Sequence, residues 1–196
     1  MITRKLVLAS NNAHKLVEVQ RVVTEMGIEV IPLAQFPEIE DPPETGDTFE
    51  ANSLQKARFV FEATGLPTLA DDSGLEVKAL GGAPGVHSKR YTPEADAVHN
   101  NAKLLRELQG VEDRAARFVC ALALVTDAGE HVLRGTVEGV IGEAATGDGG
   151  FGYDPLFFPK GMGGRSMAEL RPEEKDSISH RGRALLALPH MVGELC

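Results

Sequence analysis

Lys5-Leu6-Val7-Leu8-Ala9-Ser10-Asn11-Asn12-Ala13-His14-Lys15-Leu16 decides the fold class. Residues 5–9 are an apolar run behind a single lysine, which predicts a strand. Ser10, Asn11 and Asn12 form a polar turn able to cap a helix. Leu16, Val19, Val22, Val23 and Met26 then recur at helical spacing, and Gly27 stops the helix. Residues 28–31 predict a second strand, so the chain opens β-α-β, the start of an α/β fold. Lys15 falls in the first helical turn, where the macrodipole disfavours cations. Two readings stand: a solvated surface lysine, or a lysine belonging to an anion pocket at the strand–loop–helix junction.

Moving downstream, residues 36–43 are acidic and proline-rich and read as a loop that continues through Glu44-Thr45-Gly46. Thr48 caps the next helix, Ala51, Leu54, Ala57 and Phe61 supply its apolar side, and Gly65 ends it. Lys56 follows Asn52 by one helical turn and shares its face. Taken alone, that pair reads as a solvated face. Leu66, Leu69 and Ala70 read as a short buried strand, followed at once by Asp71-Asp72-Ser73-Gly74-Leu75. Adjacent carboxylates at a strand end repel each other and are costly to desolvate, which invites a divalent cation. Asp-Asp-Ser-Gly is also good turn chemistry. Both readings stay open on these residues.

Residues 81–85 make a rigid turn before the basic Ser88-Lys89-Arg90-Tyr91. Thr92-Pro93 reads as a capped helix start, with Val98, Ala102, Leu105 and Leu108 patterning the helix and Gly110 ending it. Residues 116–126 are apolar on both faces, which predicts a central strand, and residues 131–141 are its antiparallel partner. Gly147-Asp148-Gly149-Gly150-Phe151-Gly152 matches G-x-G-x-x-G literally. A dinucleotide fingerprint must open a helix, and Tyr153-Asp154-Pro155 follows instead. The glycines present Phe151 and Asp154 on a tight loop. That pair suits stacking and edge-reading of a heterocycle, or else is a buried ring beside a turn carboxylate. Ser166 to Glu169 is a capping box, Lys175 lies in a charged loop, and Ser179-His180-Arg181 opens a last helix with Leu185, Leu188 and Val192 apolar. Pro189 kinks or ends it.

The totals narrow the classes. A chain of 196 residues suits one domain or two closely packed lobes. A net charge of −9 disfavours nonspecific binding to nucleic acid or a membrane surface, so an anionic substrate needs local cations or a metal. Two cysteines, Cys120 in an apolar run and Cys196, make no disulfide framework, which fits a cytoplasmic protein. Residues 1–12 carry too short an apolar run for a signal peptide. Carboxylates for a metal (Asp71, Asp72, Glu44), cations (Lys15, Lys175, Arg181) and an aromatic for a base (Phe151) together describe a metal-dependent nucleotide hydrolase or transferase. A nucleotide binder without chemistry has no need of the paired carboxylates. A structural module has no need of cations at two helix starts.

Several stretches, in order, resemble the inosine/xanthosine triphosphate pyrophosphatases. They are Ser10 to Lys15, Glu44 to Asn52 with Lys56-Ala57, Ala70 to Leu75, Gly82 to Gly85 with Arg90-Tyr91, Asn100-Asn101-Ala102-Lys103-Leu104-Leu105, Gly150 to Pro155, Ala168 to Leu170, and Lys175 with Ser179 to Arg181. In the family the first motif reads Thr-Gly-Asn-x-x-Lys, and here Ser10-Asn11 stand in place of Thr-Gly. The resemblance implies one domain over residues 1–196, an elongated mixed β-sheet flanked by helices, two lobes with the site in the cleft, and a homodimer. It implies Mg²⁺-dependent hydrolysis of ITP, dITP and XTP to monophosphate and pyrophosphate, with no nucleic-acid or membrane partner. Carried onto this chain, Asp72 is general base and metal ligand, and Glu44 is a second ligand. Ser10, Asn11, Asn12, Ala13, His14, Lys15, Lys56, Ser73 and Lys175 hold the triphosphate. Phe151, Gly152, Tyr153, Asp154, His180 and Arg181 hold the base.

Overall fold

The computed structural model describes residues 4–188. Pro189 and Val192, read above as the end of the last helix, lie outside the described residues. The described strands form one six-stranded mixed sheet in the order β2-β1-β3-β4-β5-β6. β1 (Arg4–Leu8) runs parallel to β2 (Ile28–Pro32) and to β3 (Thr68–Val77). β4 (Ala115–Thr126) and β5 (Gly129–Ile141) follow each other through a two-residue link, and β6 (Phe157–Pro159) pairs antiparallel with β5. The helices are α1 (Ala13–Thr24), α2 (Phe49–Thr64), α3 (Ala97–Glu107), α4 (Pro172–Ile178) and α5 (His180–Leu186). The β-α-β opening is therefore as the sequence predicts. Asn12 caps α1 through its side-chain oxygen, Thr48 caps α2, and Gly65 ends α2 in the left-handed conformation.

The chain divides into two compact units. The first comprises Met1–Asp72, Cys120–Gly135 and Arg181–Cys196, and the second Ser73–Val119 and Thr136–His180. In the first unit the pleat separates two apolar layers. Leu6, Leu8, Leu69, Leu122 and Leu124 pack with Val19 and Val23 of α1 and with Ala184 and Leu185 of α5. Val7, Ala70, Ala123 and Val125 pack with Ala57 and Val60 of α2. Side chains two apart share a face and neighbours face opposite ways. The second unit has its own core, where Leu75, Val77, Phe118 and Ile141 meet Leu104 of α3 and Leu108 at its C-cap, with Tyr153 and Phe157.

Four expectations are corrected. Asp71-Asp72-Ser73-Gly74 is no turn but the middle of a ten-residue strand. Turn propensity gives way there to burial with charged partners, described below. Thr92-Pro93 does not start α3. Asp96 is the cap, while Thr92 donates its hydroxyl to Asn100 Oδ1 at 2.9 Å. The buried face of that helix carries Asn100 and Leu104, leaving Val98 exposed. Lys175 lies on α4 and is buried, not in a loop. Asn52 and Lys56 form a buried face of α2, not a solvated one.

Candidate active site

The alternation of β3 places Asp71 on the layer with Leu69 and Asp72 on the layer with Ala70, so the two carboxylates point to opposite faces and do not face each other. Each has its own cations. Asp71 is fully buried and accepts from Arg181 Nε of α5 at 2.7 Å, pairs with Lys15 Nζ of α1, and lies 3.1 Å from Cys120 Sγ. Arg181 also pairs with Glu18. Burial alone would raise the Asp71 pKa, but the charges of Arg181 and Lys15 outweigh it and hold the carboxyl well below the usual range. Lys15 therefore tolerates the first turn of α1 because it faces a buried anion.

On the other face, Asp72 Oδ1 accepts from Lys56 Nζ at 3.1 Å and Oδ2 from Asn52 Nδ2 at 3.1 Å. The same Lys56 ammonium reaches Glu44 Oε1 at 2.7 Å and the Asp71 carbonyl at 2.9 Å. Asn52 Oδ1 in turn accepts from the Gly46 amide at 2.7 Å. A side chain at position 46 would drive its Cβ to 2.7 Å from Ala51 Cβ and 3.0 Å from Asn52 Oδ1, so only glycine lets this loop close on α2. Burial pushes Asp72 up, Lys56 and Lys15 pull it back, and Glu44 adds to the rise; the net pKa is raised. Lys56 is the converse: burial lowers it, and Asp72, Glu44 and Asp71 together outweigh that and leave it raised.

The loop from Ser10 to Lys15 lies beside this cluster in the same unit. Ser10 Oγ accepts from the Asn12 amide at 3.2 Å, and Asn12 Oδ1 accepts from the His14 and Lys15 amides at 2.9 and 3.3 Å. Asn11 Nδ2 donates to Asp41 Oδ1 at 2.7 Å. Among the described residues Ala95 is the one non-glycine with positive φ, so Asn11 keeps an ordinary backbone where the family has glycine.

The second unit holds the other predicted residues. Lys175 Nζ donates to Asp154 Oδ2 at 2.9 Å and lies 4.8 Å from the centre of the half-buried Phe151 ring. The Phe151 amide donates to the same carboxylate oxygen at 2.9 Å. Gly150 and Gly152 both have positive φ, which lets the loop turn this tightly. Tyr153 is buried, with its hydroxyl donating to the Ser88 carbonyl at 2.8 Å. His180 stacks on Phe118 with ring centres 5.0 Å apart. Ser73 is half-buried in β3 and Ser179 closes α4.

The structure thus brings Lys15, Glu44, Lys56, Asp71, Asp72 and Arg181 together in the first unit. Phe151, Asp154 and Lys175 come together in the second. The Arg181 side chain is 2% exposed and pairs with Asp71 and Glu18. Asn52, Glu18 and Cys120 are the cluster members that the sequence left unassigned. The one signal for Asn52 was its helical spacing from Lys56.

Fold and clusters together define a mixed α/β protein with an acid–lysine centre in one unit and an aromatic–carboxylate–lysine loop in the other. The sequence matches the Ham1 family over residues 6–191, and the chain belongs to that family. It is similar to the dITP/XTP pyrophosphatase of Mycolicibacterium paratuberculosis, with 50% identity over 93% of each chain. It is 47% identical to the dITP/XTP pyrophosphatase of Geobacillus kaustophilus, over 98% of this chain and 96% of that one. Among solved structures, a HAM1 protein from Coxiella burnetii superposes with a TM-score of 0.88 at 42% identity, covering 97% of this chain and 99% of that one.

Proposed function

We propose that this chain hydrolyses the non-standard purine nucleoside triphosphates ITP, dITP and XTP to the monophosphate and pyrophosphate, keeping them out of nucleic acid. Relatives named dITP/XTP pyrophosphatase, matched over almost the whole chain, support the substrate class. The observation that carries the chemistry is the convergence of Glu44 Oε1 and Asp72 Oδ1 on one cation, at 2.7 and 3.1 Å from Lys56 Nζ.

That convergence fits magnesium. Among the described residues no group of three or more His, Cys, Asp and Glu side chains could hold a metal ion. Two carboxylates are what magnesium takes when phosphate oxygens and waters complete its shell. Glu44 and Asp72 would hold it, and when bound it supplies positive charge against the phosphate oxygens. Asp72 accepts the proton of the attacking water. Asn52 fixes that carboxylate through its amide, and Lys56 draws its charge toward the same point. Lys15 and the α1 N-terminus oppose the charge of the phosphates. In the second unit, Phe151 offers a ring face to a base and Lys175 a cation.

The same reading includes a cytoplasmic homodimer. No described helix is long and apolar enough to cross a membrane. The direct test incubates the protein with ITP, XTP, GTP and ATP at saturating Mg²⁺ and identifies the products. Pyrophosphate from ITP and XTP in large excess over ATP is expected. Orthophosphate as the first product refutes the bond assignment, and equal rates on ATP refute the substrate class.

A further inference from the structure

Asn100-Asn101-Ala102-Lys103 is a motif that the proposed chemistry leaves without a role. It lies on α3, in the second unit with the Phe151 loop. Two of its polar members serve the neighbouring segment. Asn100 is buried, accepts from the Thr92 amide at 2.9 Å and donates to the Lys89 carbonyl at 3.1 Å. Lys103 donates to the Tyr91 carbonyl at 2.9 Å. Asn101 does something different: its Nδ2 donates to the Gly152 carbonyl at 3.1 Å, across 51 residues of chain.

Gly152 is the residue after Phe151, and its φ of +61° is a left-handed conformation that glycine adopts without steric cost. The loop has further ties, among them the Asp154 amide donating to the Phe151 carbonyl at 3.2 Å. Asp154 grips the Phe151 amide and Lys175 behind the ring, and Tyr153 is pinned to the Ser88 carbonyl. Ser88 is itself fixed, with its hydroxyl accepting from the Leu75 amide at 2.8 Å and donating to the Gly85 carbonyl at 2.6 Å. Those ties hold Phe151 at its amide and carbonyl and Tyr153 at its hydroxyl, and leave the Gly152 carbonyl to Asn101. The Gly152 carbonyl, one peptide beyond Phe151, is held from α3 by Asn101.

The chemistry at Asn101 is unbalanced. Its Oδ1 is buried and has no hydrogen-bond partner among the described residues. A buried unpaired acceptor opposes folding. An alanine there would remove that burden together with the Gly152 bond, so the amide is poorly explained as a stabilising feature. We infer that Asn101 is a positioning residue that sets the Gly152–Tyr153 peptide, and through it the ring face offered to the purine. This rests on the proposed function, in which Phe151 meets the base.

The test compares wild type with Asn101→Ala and Asn101→Asp. The readouts are steady-state kinetics on ITP, Kd for inosine monophosphate and for inorganic pyrophosphate, and Tm. Loss of one neutral hydrogen bond predicts that Asn101→Ala raises KM for ITP and Kd for inosine monophosphate by about three- to ten-fold. Its kcat and its Kd for pyrophosphate stay at wild-type values, and its Tm stays at or above that of wild type. Asn101→Asp sets a carboxylate against the Gly152 carbonyl and weakens inosine monophosphate binding further. An unchanged Kd for inosine monophosphate in Asn101→Ala overturns the inference while leaving the proposed function standing. So does a fall in Tm accompanied by equal loss on pyrophosphate, which marks a merely structural role. A wild-type protein that turns over ITP no faster than ATP refutes the proposed function first, and this inference with it.

Discussion

Asp71→Asn separates the two adjacent carboxylates most sharply. The substitution keeps the shape and removes one negative charge. It leaves Arg181 with Glu18 and Lys15 with the Asp71 carbonyl, at 3.2 Å. It also turns an amide that donates hydrogen bonds toward cations that can only donate. Removing one partner of a buried ion pair costs about 3–5 kcal/mol. At about 2–4 °C per kcal/mol for a chain of this size, Tm falls by roughly 6–20 °C. The pH dependence gives a second check. The native carboxyl is held well below the ordinary value by Arg181 and Lys15 against the opposing effect of burial. A depressed native pKa contributes stability that is full above the unfolded value and is lost as pH falls through the native one. The Tm gap between wild type and variant is therefore constant from pH 7 down to about 5 and narrows only below about 4. Differential scanning fluorimetry across that range measures both quantities. A variant within about 2 °C of wild type at pH 7 would refute the buried-network reasoning.

Other perturbations follow from the same geometry. Arg181→Ala strips the cation from Asp71 and Glu18, so thermal melts should show a loss of the same order, about 3–5 kcal/mol, while the ITP/ATP ratio of kcat/KM stays as in wild type; a narrowed ratio in a stable variant would return Arg181 to base reading. Phe151→Ala removes stacking common to every purine, and kcat/KM for ITP and for ATP should fall by similar factors. Mg²⁺ affinity, read by titration calorimetry, should weaken on acidification at a pH above the ordinary carboxylate value, because burial and Glu44 leave Asp72 raised despite Lys56 and Lys15. The metal competes with a proton at that oxygen, and an affinity flat down to pH 4 would count against Asp72 as a ligand.

The local elements were legible because their causes are local. The Ser10–Asn12 turn caps α1 through Asn12, Thr48 caps α2 as the sequence predicts, and residues 116–126 form a strand buried on both faces. What sequence could not show were partners far along the chain. Asp71 meets Arg181 across 110 residues and Lys15 across 56, and those contacts make a strand of a segment with turn composition. The neighbouring carboxylates do not face each other, for a simpler reason. A strand turns consecutive side chains to opposite faces, so the case for magnesium rests on Glu44 with Asp72, not on Asp71 with Asp72. Lys56 looked solvated because its spacing from Asn52 names a face without saying what covers it. Thr92-Pro93 has the composition of a helix start, but Thr92 is bound to Asn100, and the helix waits for Asp96.

The central claim is that Asp72 is the base of a reaction that releases pyrophosphate. The most direct measurement is pyrophosphate formed from ITP by wild type and by Asp72→Asn, side by side at saturating Mg²⁺, with Tm recorded for both. Losing a general base lowers the rate by about 10²–10⁴. Folding should be retained, since the neutral amide relieves a carboxyl that burial already disfavours. A folded Asp72→Asn protein that releases pyrophosphate at the wild-type rate would contradict the account.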